Sequence, residues 1–199
     1  MNLPNKLTVT RMILVPFILL FLMPLPYLPV DTGWNLFINT YGQIISLLIF
    51  ITASFTDHLD GSIARKRGIV SDFGKFLDPI ADKMLITSVL IAFVHLGRLH
   101  AIVPILIIFR DLVVSGMRML GSSAGTIISA NQIGKWKTAF LMIGIILLLI
   151  QRVLEGFGWL TVIIPVVRVI ADLFIVASVV LAMISLVQYL KANLDLLKP

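Results

Sequence analysis

An all-α integral membrane protein of six transmembrane helices is the fold class this sequence predicts, and three observations lead there. Hydrophobic residues make up 59% of the 199-residue chain and charged residues only 13%, with a mean hydropathy of +1.05. Such a chain has too little polar surface to cover a water-soluble globule. Its apolar residues are gathered into roughly six runs, each close to the ~20 residues that a helix needs to cross a bilayer. Its basic residues are shared unevenly among the segments that join those runs. The joining segments are too short to fold by themselves, so residues 1–199 are expected to form a single membrane domain.

The first run extends from about Thr8 to Leu28 and is closed by Pro24, Pro26 and Pro29, each of which lacks an amide donor and restricts the residue before it. Lys6 and Arg11 beside an apolar run are reminiscent of a signal peptide. No alanine precedes Ala53, however, so an Ala-x-Ala cleavage site is lacking and the run is expected to be retained. The second run covers about Tyr41 to Ile63, the third about Asp78 to Leu96, and the fourth about Ala101 to Leu120. The fifth, about Gly134 to Gln151, is preceded by Ser129 and Gln132 in a capping-box pattern. The sixth runs from about Ile164 to Leu190. No internal repeat or linker composition stands out. The chain has no cysteine, which excludes disulfides, thiolate nucleophiles and zinc–thiolate sites.

Charge orients the six runs. With the N-terminus in the cytoplasm, thirteen of the sixteen Lys and Arg fall on the cytoplasmic side, and only Arg98, Arg152 and Arg168 lie outside or within a run. This positive-inside bias predicts that both termini are cytoplasmic and that residues 57–82 sit at the cytoplasmic face. The net charge of +6 is accounted for by topology and anionic headgroups of membrane lipids, so no nucleic acid is expected as a partner.

Within that segment Asp57, Asp60, Asp78 and Asp82 stand out from an apolar background. Asp57, Asp60, Gly61 and Ala64 are spaced to share one helix face, and Gly74, Asp78 and Asp82 recur at intervals of four, with Pro79 leaving the local geometry open. Each carboxylate within a membrane costs about 2.5–3.5 kcal/mol on insertion scales, and four together repel, so they must be protonated or take up cations. Oxygen-only ligands favour Mg²⁺ or Mn²⁺, and four aspartates suit two ions. Carboxylate-bridged metal pairs serve phosphoryl chemistry by neutralising oxygens on both sides of the displacement at phosphorus. Arg65 offers a fixed fork for a phosphate or diphosphate. Gly61, Ala64 and Gly74 leave room for such a ligand, or for close helix contact. Simple pairing of these aspartates with Arg65, Lys66, Arg67, Lys75 and Lys83 requires neither the small residues nor the regular spacing. A polar, metal-binding cavity open to the cytoplasm is therefore expected.

The eight positions Asp57-x-x-Asp60-Gly61-x-x-Ala64-Arg65, eight residues, then Gly74-x-x-x-Asp78-x-x-x-Asp82 resemble the signature of the CDP-alcohol phosphatidyltransferase family. Pro4-Asn5, Thr8, Arg11, Lys83, Arg110-Asp111 and Gly134-Lys135 extend the likeness to bacterial members of that family, in which Arg-Glu usually stands at Arg110-Asp111. The resemblance implies a six-helix, homodimeric enzyme of the bacterial plasma membrane. It would join CDP-diacylglycerol and sn-glycerol 3-phosphate, giving phosphatidylglycerophosphate and CMP. By matching position, Asp57, Asp60, Asp78 and Asp82 would hold the metals, with Asp82 also the candidate catalytic base. Gly61, Ala64, Arg65, Ser71 and Gly74 would contact CDP-diacylglycerol.

The phosphate of such an acceptor needs cations, and Arg110, Arg118 and Lys135 are the preferred candidates, with Lys137 also flanking the loop between the fourth and fifth runs. Topology alone could equally place each of them there. Gly125 to Lys135 is not a Walker loop, because Ser129 stands where its first glycine belongs and Trp136 where Ser or Thr is needed. Trp34, Trp136 and Trp159 fit interfacial anchors. His58 is expected to point away from the carboxylate face, and Arg168 is spaced to pair with Asp172. Two alternatives stay open: the same chemistry with serine, inositol phosphate or phosphatidylglycerol as acceptor, and a divalent-cation transporter built on the same aspartates.

Overall fold

The computed structural model describes residues 3–29, 31–67, 72–123, 132–158 and 160–193, and their side chains except those of 3–7, 57–67, 72–79, 82, 122 and 123. Every regular element among the described residues is helical: α1 (Leu3–Leu22), α2 (Gly33–Phe37), a π-helical turn (Ile38–Gly42), α3 (Gln43–Arg67), α4 (Asp72–His95), α5 (Ile102–Ser123), α6 (Gln132–Phe157) and α7 (Ile164–Ala192). Among the described residues three stretches are long and apolar enough to cross a membrane, namely Gly33–Thr56, Gln132–Phe157 and Ile164–Ala192. The chain is thus an α-helical membrane protein. Ser129 of the expected capping box and Trp159 of the expected anchors lie outside the described residues.

α1 stops at Leu22, short of the expected Leu28, because Pro24 and Pro26 cannot continue the ladder. Much of the orphaned backbone beyond it is met by a buried side chain, Asn35 of α2, with Gln43 Nε2 donating to the Leu22 carbonyl at 3.3 Å. Asn35 Oδ1 accepts from the Leu25 amide at 2.9 Å, and its Nδ2 donates to the carbonyls of Leu25, Leu28 and Pro29 at 3.1, 3.0 and 3.2 Å. In an apolar medium an unmet amide or carbonyl costs several kcal/mol, so Asn35 helps to hold this non-helical loop together with the turn bonds Leu28 N–Leu25 O and Thr32 N–Pro29 O. The chain then passes through the π-helical turn, which lies against the far end of α6. There a Cβ at Gly156 would collide with the Asn39 carbonyl oxygen, so only glycine allows the approach, and the Tyr41 and Phe157 rings meet edge-on at 5.7 Å.

The long helices group around two contacts: α1 packs on α3 and α4, and α6 runs along α7. The α3–α6 contact joins the two groups, and α5 rests on α7. The main core, including Ile18, Phe50, Leu90, Phe93, Leu141, Ile145, Leu148 and Ile175, fills the space between α1, α3, α4, α6 and α7. A smaller cluster of Val114, Met117, Leu186 and Tyr189 seals α5 against α7.

Lipid is as apolar as leucine, so helix association in a membrane depends on close packing and on polar contacts more than on the hydrophobic effect. At the end opposite the aspartate-rich segment, that polar contact is Arg98, from the turn after α4. Its guanidinium donates to Gln151 Oε1 at 3.0 Å and to the Arg168 carbonyl at 3.4 Å, and pairs with Asp172 Oδ1 at 2.9 Å. Gln151 in turn donates to Glu155 at 2.6 Å. The pairing of Asp172 is therefore with Arg98 instead of the expected Arg168, because the α4–α5 turn folds over the start of α7 and brings a better-placed guanidinium. Arg98→Ala strands the buried Gln151 oxygen and should cost about 2 kcal/mol. The check is a melting temperature lower by about 4–8 °C in detergent with unchanged affinity for every substrate; an unaltered melting temperature would show the contact to be idle.

Candidate functional site

Among the described residues, four of the helices line an open cavity of about 880 Å³. α3 contributes Ile51, Ser54 and Phe55; α4 contributes Lys83, Ile86 and Thr87; α5 and α6 supply the rest of the wall. On α5 the lining positions Ile107, Arg110, Asp111, Val114, Ser115 and Arg118 follow helical spacing, one face turned inward. α6 runs the other way, passing from Gly134, Lys135, Lys137 and Thr138 to Leu141, Met142, Ile143 and Ile146. Polarity therefore changes along the bundle axis. The end near the start of α6 is cationic, and the end about 16 Å further on, at a rise of about 1.5 Å per residue, is aliphatic.

The cationic end is organised around one carboxylate. Asp111 accepts from Lys137 Nζ through both oxygens, at 3.0 and 3.1 Å, and from Arg110 Nη1 at 3.0 Å. Lys137 is buried, with 4% of its surface exposed, and a lysine so placed requires a counter-charge. Arg110 Nη2 donates to Ser185 Oγ at 2.8 Å, across from α7. α6 can close over this bond because position 134 is glycine: a Cβ there would stand 3.0 Å from Arg110 Nη2. Lys83 Nζ donates to Ser115 Oγ at 2.6 Å and reaches the Asp111 carbonyl at 3.5 Å. Arg118 Nε donates to Tyr189 OH at 3.0 Å. Lys135 is exposed and, among the described residues, has no ion pair.

Five cations thus face one carboxylate among the described lining residues, a net formal charge of +4. Low-dielectric helical walls concentrate that field, and the chemical counterpart is a dianion such as a phosphate monoester. Arg110, Arg118 and Lys135, the three cations singled out in the sequence, all line this cavity. Sequence reasoning gave no site role to Lys83, to Lys137 and Asp111 as a pair, or to Ser54, a buried cavity-lining hydroxyl whose Oγ has no hydrogen-bond partner among the described residues. An acidic residue inside an apolar helix was the available signal for Asp111, since such a residue implies a cationic partner.

The side chains of Asp57, Asp60, Gly61, Ala64, Arg65, Gly74, Asp78 and Asp82 lie outside the described residues, as does that of His58, and so does Ser71 altogether. Among the described residues no group of three His, Asp or Glu could hold a metal ion. The backbone does place the signature. α3 is unbroken through positions 57–65, and α4 is unbroken from 74 to 82, so Pro79 does not interrupt the helix and the intervals of three and four are true helical turns. Asp57 follows the cavity-lining Phe55 by two residues, and Asp82 immediately precedes the cavity-lining Lys83. Both halves of the signature therefore belong to helices that form the cavity.

Comparison with known proteins gives the same direction. Residues 1–167 match the CDP-alcohol phosphatidyltransferase family. The chain is 35% identical over 201 residues, covering 99% of its length and 97% of the relative's, to a CDP-diacylglycerol–glycerol-3-phosphate 3-phosphatidyltransferase of Bacillus subtilis. Relatives of the same name in Mycoplasma pneumoniae and Rickettsia felis are 43% and 33% identical, over 73% and 81% of this chain and 66% and 82% of their own.

Proposed function

Because this chain belongs to the CDP-alcohol phosphatidyltransferase family, we infer that it transfers a phosphatidyl group from CDP-diacylglycerol to sn-glycerol 3-phosphate, giving phosphatidylglycerophosphate and CMP. The likeness of nearly the whole chain to relatives bearing that name carries this conclusion. An amphipathic cavity with a cationic end supports it, since one substrate is a lipid and both carry phosphate.

The reaction exchanges a phosphoanhydride bond for a new phosphate ester. A hydroxyl of sn-glycerol 3-phosphate attacks the phosphorus that bears diacylglycerol, and the bond from that phosphorus to the CMP oxygen breaks. Asp82 is the candidate to accept the hydroxyl proton. Arg110, Arg118 and Lys135 hold the acceptor's phosphate, and Asp111 and Lys137 fix Arg110 beside them. Gly61, Ala64, Arg65, Ser71 and Gly74 contact CDP-diacylglycerol, with Arg65 as the diphosphate fork. The oxygen-only donors Asp57, Asp60, Asp78 and Asp82, spaced by helical turns on two cavity-forming helices, fit a pair of Mg²⁺ or Mn²⁺ ions. Bound there, such ions would neutralise the diphosphate oxygens and the departing CMP.

Six membrane spans, from α1 and α3 to α7, would set the cationic end of the cavity at the cytoplasmic face of a bacterial plasma membrane. The clustering of Lys and Arg at that end supports this orientation. A homodimer is the assembly we propose.

The decisive assay combines purified protein, Mg²⁺ or Mn²⁺, CDP-diacylglycerol and a panel of alcohols, scored by liberated CMP. Release should require sn-glycerol 3-phosphate; release with serine or inositol phosphate in its place would move the enzyme to another branch of the family. Arg118→Ala and Lys135→Ala should each raise KM for sn-glycerol 3-phosphate about 10- to 100-fold, the size of one lost charge-assisted hydrogen bond, while sparing KM for CDP-diacylglycerol. An unchanged acceptor KM would remove that residue from the site.

A further inference from the structure

We propose that α7, the last helix, tunes acceptor affinity: Tyr189, and secondarily Ser185, are positioning residues that set the pose of Arg118 and Arg110. The inference rests on the reading that these arginines receive the acceptor's phosphate. Both α7 residues lie beyond residue 167, outside the family match, so nothing in the shared signature assigns them a part.

Tyr189 is 4% exposed and packs with Val114, Met117 and Leu186, so its ring is immobilised between α5 and α7. Its hydroxyl accepts from Arg118 Nε at 3.0 Å, and the guanidinium carbon lies 5.8 Å from the ring centroid. Binding through Nε occupies the inner edge of the guanidinium and leaves its two terminal nitrogens without a partner among the described residues. Those are the atoms that make the forked contact with a phosphate. Arg118 is otherwise a long side chain on the cavity wall, and ordering it at the moment of binding would weaken affinity. A rigid tyrosine orders it beforehand.

Ser185, fully buried one helical turn before Tyr189, accepts from Arg110 Nη2 while Asp111 accepts from Nη1, so the two fix the orientation of that guanidinium. Arg110 has two anchors, and Arg118 has a single hydrogen-bond anchor. Loss of the tyrosine hydroxyl should therefore matter more than loss of the serine hydroxyl.

The test uses the full-length protein in detergent micelles with CDP-diacylglycerol. Tyr189→Phe keeps the ring and its packing and removes only the acceptor oxygen. It should raise KM for sn-glycerol 3-phosphate about 3- to 10-fold, leaving kcat, KM for CDP-diacylglycerol and the melting temperature as in the wild type. Ser185→Ala should raise the same KM by about 2-fold. Combined with Arg118→Ala, Tyr189→Phe should add nothing further, because it acts through that arginine. A silent Tyr189→Phe beside a sensitive Arg118→Ala overturns the proposal alone, as does a parallel rise in both KM values with a fall in melting temperature. Wild-type acceptor KM in Arg118→Ala overturns the acceptor-site reading itself, and this inference with it.

Discussion

Asn in place of Asp57, Asp60 or Asp78, one at a time, should lower CMP release by about 10³-fold or more while the protein still purifies and melts as the wild type does. Asparagine matches aspartate in size and keeps one carbonyl oxygen, so helix packing is spared and only the negative charge is lost. The helices make this a clean comparison. α3 and α4 run without a break through all three positions, so none of the three stands at a helix end. Turnover close to wild type in any one variant would take that residue out of the metal set. A large loss of activity that excess Mn²⁺ partly restores would mark a weakened ion site in place of a lost base.

Asp111→Ala should have the largest effect on stability. It leaves the guanidinium of Arg110 and the ammonium of Lys137 facing each other where a carboxylate with 21% of its side chain exposed had bridged them. Removing one member of a buried charge cluster costs about 3 kcal/mol, which for a chain of this size is a fall in melting temperature of about 6–12 °C. Asp111→Asn should fall between, since the amide oxygen still accepts from one cation. Adding Lys137→Met to Asp111→Ala should recover much of the loss by deleting the opposing charge. An Asp111→Ala protein that melts within a degree or so of the wild type would mean that the cations relax into water and the carboxylate holds nothing together.

The positions of the long helices were legible because each is announced locally, by an apolar run and by what interrupts it. The expected fifth run begins at Gly134 and α6 at Gln132; the expected sixth begins at Ile164, as does α7. The spacing of the eight-position signature was equally local, and it directed attention to the two helices that border the cavity. What escaped was partner choice. Whether Asp172 takes Arg168, four residues away, or Arg98, from a turn far earlier in the chain, depends on how one loop folds over a distant helix. Periodicity carries no information about that. Ser185 and Tyr189 read as ordinary residues of an apolar helix, and only the packing of α7 on α5 reveals what their hydroxyls hold. The short α2, with Asn35 helping to hold a proline-rich loop, is another long-range device hidden in unremarkable composition.

The cavity that changes from cations at Lys135 to aliphatic side chains at Ile146 has a kinetic corollary. A molecule lying across it is dissolved in two media at once, water-like at its head and oil-like at its tail. Passing the lipid-bearing half to an acceptor hydroxyl, with release of the other half, leaves a second amphiphile and a water-soluble nucleotide. A nucleotide drifts outward to the aqueous phase, while each methylene of the acyl tail retained among hydrocarbon is worth about 0.8 kcal/mol of reluctance to follow. Such a cavity would sort the two products by solubility.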